Sequence, residues 1–200
     1  MGNTDKFEMI ANNYDTSERI HIARISANAI RDCLIDTKGK DAMDFGCGTG
    51  LVGLDLADEF KTVLFLDTSQ NMINVVREKI SDHGIINAST LCFDFESAPQ
   101  SDLHVDYVFM AQVLLHIQDY RSVLSKLYDV LNDEGHLLIV DFDKNTEVVS
   151  DIVHNGFEQE QLKETMFEIG YKDIKVETFY QGKKIFMGKD ASMFILDAKK

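Results

Sequence analysis

The stretch MDFGCGTG, residues 43–50, decides how the rest of the chain is read. It ends a short apolar run and places glycine at every second position, Gly46, Gly48 and Gly50. An amphipathic stretch begins directly afterwards, at Leu51. A strand that passes into a helix through bare backbone makes a tight turn at a helix N-terminus. Glycine lets a ligand approach the main chain there, and the helix end offers N–H groups that have no partner within the helix. The spacing is G-x-G-x-G. A dinucleotide fingerprint, G-x-G-x-x-G, needs its last glycine at position 51, where this chain has leucine, and no Gly-Lys-Ser/Thr phosphate loop is present.

Three further strand-end segments follow. Asp67, in FLDTS, stands 21 residues after Gly46 (67 − 46), about the distance at which an acid on the neighbouring strand meets a ribose. A carboxylate is a natural acceptor for two hydroxyl protons, although the same residue also reads as a helix N-cap or turn former. In CFDFES, Asp94 offers an acceptor to an exocyclic amine and Phe95 an apolar wall, as an adenine requires; plain turn chemistry is the alternative for Asp94. In FMAQVLLHI, residues 109–117, Gln112 and His116 are placed to cover a ligand, with a structural histidine as the other reading of His116.

Apolar runs mark strands at 41–45, 62–66, 89–93, 105–110 and 136–142, then at 174–180 and 193–198. Helical spacing marks 51–59, 70–82, 120–131 and 159–169; Val123, Leu124, Leu127, Val130 and Leu131 form one apolar stripe. Alternation of strand and helix predicts an α/β, Rossmann-like doubly wound sheet, mainly parallel, closed by an antiparallel pair. Before it, Phe7, Ile10, Ala11 and Tyr14 share one helical face, and Ile20, Ala23, Ile30 and Leu34 suggest a second helix. Residues 1–38 are thus expected as an N-terminal helical segment and 39–200 as the core of one domain. Ligands of such sheets sit at the carboxyl ends of the strands, where strand order reverses.

Composition narrows the chemistry. With 200 residues, 44% hydrophobic and 27% charged, the chain is long enough for one sizeable core. A net charge of −14 repels phosphate backbones, so neither nucleic acid nor an anionic membrane is expected as partner. Lys183, Lys184 and Lys189 form the densest basic stretch and read as a solvated turn. Cys33, Cys47 and Cys92 form no C-x-x-C pair and the six histidines are scattered, so no protein-bound metal and no disulfide framework is expected. No apolar run approaches a bilayer span and the first residues lack signal-peptide character, which points to the cytoplasm.

Taken together, these motifs resemble those of the class I S-adenosylmethionine-dependent methyltransferases. DFGCGTG resembles their first motif, FLDTSQNM the ribose motif, CFDFES the adenine loop, VDYVFMAQVLLHI the fourth-strand motif and LNDEGHLLIVDFD the fifth-strand block. FEMIANNYD and VLLHI look most like small bacterial ubiquinone- and menaquinone-biosynthesis methyltransferases. The resemblance implies a seven-stranded sheet of order 3-2-1-4-5-7-6 with an antiparallel final strand and a helical lid. It implies S-adenosylmethionine as cofactor and a small-molecule methyl acceptor. Gly46, Cys47, Gly48, Thr49 and Gly50 would line the methionine moiety, with Asp44 orienting their loop. Asp67 would hold the ribose, Thr68 and Met72 would lie beside the adenine, and Asp94 and Phe95 would contact it. Ala111 and Gln112 would sit near the methionine end, His116 would help cover the cofactor, and Tyr14 would belong to the lid over it. His116, His154 and Tyr14 are the candidate bases; Asp141 and Asp143 read either as attractors for a cationic acceptor or as caps and turns. A nicotinamide-dependent oxidoreductase, disfavoured by Leu51, and a cofactor-binding module without catalysis are the rival readings.

Overall fold

The computed structural model describes residues 4–95 and 103–200, leaving ESAPQSD and its Pro99 outside the described residues. Seven strands form one sheet, β1 (Asp41–Phe45), β2 (Thr62–Asp67), β3 (Ala88–Cys92), β4 (Val105–Ala111), β5 (Leu131–Phe142), β6 (Lys172–Phe186) and β7 (Lys189–Lys199). Their order is β3-β2-β1-β4-β5-β7-β6, with β7 antiparallel to both neighbours and the remaining pairs parallel. Order reverses between β1 and β4, and the glycine stretch follows β1 directly at that switch point. Ala42, Met43, Asp44 and Phe45 are all buried, as expected of a central strand covered on both faces.

Among the described residues six α-helices connect and cover the strands: α1 (Thr4–Ile10), α2 (Ser17–Asp32), α3 (Gly53–Leu56), α4 (Gln70–His83), α5 (Tyr120–Val130) and α6 (Gln159–Ile169). Side-chain caps fix three starts. Thr16, Ser69 and Asp119 accept from the backbone N–H of Arg19, Met72 and Ser122, respectively. None of the helices among the described residues is long and apolar enough to cross a membrane.

The sheet order matches the expected one, while some boundaries move. The 51–59 segment holds only one α-turn, α3, followed by a 3-10 turn at Ala57–Glu59. The buried face of α2 comprises Ile22, Ser26, Ala27, Ala29 and Ile30, whereas Ile20 is 39% exposed. Ser26, Ala27 and Ala29 keep the middle of this face small where α2 meets β4 and β5. The basic stretch expected as a turn is mostly strand: β6 runs to Phe186, and only Met187 and Gly188, both in left-handed conformation, turn the chain. Alternation fades there because most of the outer half of this hairpin is exposed, with Ile185 part-buried and Phe186 buried against Phe142, so polarity alone does not mark the strand.

Candidate active site

The loop after β1 is built from below. The Gly48 N–H donates to Asp67 Oδ2 at 2.9 Å and the Ser69 N–H to Asp67 Oδ1 at 2.8 Å, so the acid at the end of β2 braces the loop that follows β1. Asp44, 3% exposed, accepts the Gly53 N–H at 3.1 Å and fixes the start of α3. The loop's first two glycines answer to different demands. Gly46 has φ of +70°, and a Cβ there would lie 2.6 Å from Val113 Cγ1. Gly48 has φ of +53° and open space on its Cβ side. Only the second leaves room for a ligand; the first lets the segment after β4 pack against the turn.

Above Gly48 is a cavity of about 110 Å³. Cys47, Gly48, Thr49, Asp67, Thr68 and Met72 form one wall; Ala111, Gln112, Val113 and His116 form another. The N-terminal segment closes it through Phe7, Tyr14, Arg19, Ala23 and Ser26. Phe7 packs edge-on against His116 (5.2 Å) and Tyr14 (6.3 Å), and the Arg19 guanidinium lies over the Tyr14 ring at 4.1 Å. Polar ties hold this cover down. Lys79 Nζ reaches both Asp15 Oδ2 and the Thr49 carbonyl at 2.7 Å, and the Thr49 hydroxyl donates to Asp15 Oδ1. Glu8 accepts the Asn71 N–H near the start of α4, and the Asn71 side chain returns a bond to the Glu8 carbonyl at 3.0 Å.

Other expected site residues lie off this cavity. Gly46 lines it but Gly50 does not, and Asp44 acts from beneath. Asp94 and Phe95 follow β3, away from the cavity walls; the Phe95 ring is buried edge-on against Phe45 at 5.4 Å, and Glu96 and Ser97 of CFDFES fall outside the described residues. His154 sits behind the 113–117 segment. Its Nε2 is 2.8 Å from the Ile117 carbonyl, which can only accept, so that nitrogen carries the proton. Its backbone N–H donates to the Leu115 carbonyl, and its ring packs against Tyr120 and Phe157. Burial raises the Tyr14 phenol above its ordinary 10.0, with Asp67 and Asp15 adding to the shift against Arg19; its hydroxyl is therefore protonated at neutral pH. Arg19 and Ser26 were not foreseen as walls, because they come from one polar-looking helix whose position only packing sets. Phe7 carried a signal in its shared face with Tyr14.

Three acids shape the site, Asp67 in its wall and Asp44 and Asp141 beneath it. Burial pushes the Asp44 carboxyl up to about 8, partly offset by the Gly53 N–H and reinforced by the charge of Asp67. Asp67 is also raised by burial and by the charge of Glu8, against the N–H groups of Ser69, Gly48 and Thr68. Asp141, fully buried at the end of β5, is pushed up to about 7 by burial, against N–H bonds from Phe142 (2.8 Å) and Leu115 (3.1 Å). It thereby pins the turn that carries His116.

A carboxyl raised in the folded state holds its proton more tightly than in the unfolded chain. Its stabilising contribution is complete below the ordinary 3.8 and is lost as pH rises through about 7 for Asp141 and about 8 for Asp44. Each group can tilt stability by up to about 1.4 kcal/mol per pH unit within that window. The unliganded protein is therefore expected to melt at progressively lower temperature from about pH 5 to about pH 8. Asp141→Asn should flatten this fall, and an undiminished slope in the variant would remove Asp141 from the account.

A seven-stranded sheet in this order, with a glycine turn after β1 braced by an acid after β2, defines the class I methyltransferase architecture. The chain belongs to the family described as Methyltransferase domain, whose model matches residues 36–189. It is 33% identical over 107 residues to the demethylmenaquinone methyltransferase of Listeria monocytogenes, covering 52% of this chain and 45% of that protein. It is 29% identical over 151 residues to the ubiquinone/menaquinone biosynthesis C-methyltransferase UbiE of Serratia proteamaculans, covering 70% and 59%. The chain thus spans about half the length of the curated relatives it matches. Its fold superposes with a TM-score of 0.72 on Haemonchus contortus phosphoethanolamine N-methyltransferase 2 in complex with S-adenosyl-L-methionine, at 19% identity over 97% of this chain and 60% of that one.

Proposed function

We propose that this chain binds S-adenosylmethionine in the cavity over Gly48 and passes its methyl group to a small-molecule acceptor. The observation that carries the reading is Asp67. Its desolvated carboxylate already faces the Gly48, Ser69 and Thr68 N–H groups, and its remaining lone-pair capacity is the acceptor offered to the ribose diol. The backbone at Gly48 has the free space that the neighbouring methionine end needs. Held over Gly48 with its ribose at Asp67, the sulfonium would supply a methyl group activated for in-line displacement by an acceptor's lone pair, leaving a neutral thioether, and any acceptor proton would pass to a base.

The chain's own residues supply orientation and exclusion of water. Holding the reacting groups in line is worth up to ~7–11 kcal/mol, and a base adds ~10²–10⁴-fold where the acceptor must lose a proton. His116 is the base in this reading, since it lines the cavity while His154 is turned away and Tyr14 stays protonated. The cavity of about 110 Å³ is smaller than ligand pockets of roughly 300–1,000 Å³, so the N-terminal segment acts as a lid that swings out to admit the cofactor. Small molecules fit a net charge of −14 better than nucleic acid does.

Thermal unfolding with S-adenosylmethionine, S-adenosylhomocysteine, NAD and NADP added separately tests the cofactor. At 100 times its dissociation constant a ligand stabilises by ~2.7 kcal/mol, or roughly 5–11 °C for a chain of this size. A rise with the adenosyl compounds alone is expected; a rise with the nicotinamide nucleotides alone would overturn the reading. Transfer of labelled methyl to a component of a cell extract then separates an enzyme from a binding module.

A further inference from the structure

Beside the first cavity is a second, of about 420 Å³, which shares Tyr14, Arg19, Gln112 and His116 with it. Its remaining walls come from elements distant in sequence: the N-terminal end of α2, Leu115 and Phe142, and Lys184 and Ile185 of β6. Ile22, Leu115, Phe142 and Ile185 make much of the wall apolar. The charged groups there are Arg19 and Lys184 against one acid, Glu18. In a chain with 34 acidic and 20 basic residues, that local excess of cations runs against the composition. Among the described residues neither cation is ion-paired. Arg19 spends one donor on the Tyr14 carbonyl at 2.8 Å and keeps the rest of its fork, and Lys184 offers its ammonium.

The backbone holds these groups in place at a cost. Lys184 has φ of +58° and Gln112 φ of +56°, a region that side-chain-bearing residues seldom occupy. The Lys184 N–H is tied to Asp190 Oδ1 at 2.9 Å within an irregular stretch of the β6–β7 ladder. Such irregularities re-aim side chains near functional sites. Two residues on, Phe186 stacks on Phe142 at 4.2 Å and 4°, anchoring the hairpin to the end of β5 beside the cavity.

We infer that the second cavity is the methyl-acceptor site and that it takes an anionic acceptor, carboxylate or phosphate, whose apolar body lies on Ile22, Leu115 and Ile185 while Arg19 and Lys184 hold the charge. The inference rests on the cofactor reading above, because the shared wall is what would bring the acceptor to the methyl group. Glu18 at the rim disfavours a second negative charge on the far side of the acceptor.

The test uses the full chain saturated with S-adenosylhomocysteine and four probes on one ring: benzoate, phenyl phosphate, benzamide and benzylamine. Calorimetry is expected to show benzoate or phenyl phosphate binding at least about tenfold more tightly than the neutral amide and the amine. The stronger of the two anions identifies the acidic group. Lys184→Glu should weaken the anion about tenfold or more while leaving the affinity for S-adenosylhomocysteine unchanged, since Lys184 lines only the second cavity; Lys184→Arg should retain the anion. Equal affinity for benzamide, preference for benzylamine, or no anion binding to the loaded protein would overturn the inference. Failure to bind S-adenosylhomocysteine at all would instead strike the cofactor reading, and that is measured first in the same titration.

Discussion

Asp67→Ala is expected to weaken S-adenosylhomocysteine binding by about 100-fold or more, because each lost bond between a hydroxyl and a buried carboxylate is worth roughly 1.5–3 kcal/mol. The same change leaves the Gly48 and Ser69 N–H groups without their acceptor, so the fold should also lose about 1–3 kcal/mol. The two effects are separable by measuring the melting temperature without ligand and the dissociation constant at a temperature where the variant is folded. Asp67→Asn keeps one acceptor oxygen and nearly the same shape, so it should recover part of each loss. A lower melting temperature with unchanged affinity would make Asp67 a brace for the loop and nothing more, and the ribose assignment would fall.

Gly46→Ala and Gly48→Ala should part company, although the two residues sit two positions apart in one motif. At Gly46 the new methyl lies 2.6 Å and 2.7 Å from the two γ-carbons of Val113, in a left-handed backbone conformation. Overpacking costs typically ~1–3 kcal/mol and the backbone strain a further ~1–2 kcal/mol, so this variant should melt well below the wild type. Shortening the obstacle with Val113→Ala in the same chain should restore part of the loss. At Gly48 only the backbone term of ~1–2 kcal/mol applies, because the methyl enters open space. That space is where the proposed function puts the cofactor, so Gly48→Ala should lose affinity out of proportion to its stability. Equal affinity losses in both variants would mean that the loop responds as a unit and that the space above Gly48 is not what the ligand uses.

The brace under His116 extends the same logic to the other wall. Asp141 had two sequence readings, an attractor for a cationic acceptor or a cap, and the structure places it fully buried with its oxygens on the Phe142 and Leu115 N–H groups. A carboxyl so enclosed positions a turn and offers no surface to an acceptor.

The sequence by itself determined the sheet and the direction in which to look for the site. The segments 41–45, 62–66 and 105–110 belong to strands buried over most of their length, and burial on both faces leaves a largely apolar signal, broken by few polar residues, that needs no partner to be legible. The glycine spacing with Leu51 set aside the dinucleotide loop, and the interval to Asp67 placed an acid at the end of β2, the parallel neighbour of β1, where its carboxylate meets the glycine loop. Only the tertiary structure decided why Gly46 must be glycine, since Val113 lies 67 residues away (113 − 46) and reaches it through the β1–β4 pairing. It also decided that α2 and the β6–β7 hairpin bring Arg19 and Lys184 to one cavity, and that His154 faces away from the first. Arg19 and Lys184 lie on exposed helix and hairpin positions and His154 in a half-buried loop, where polarity carries no trace of which distant segment packs alongside.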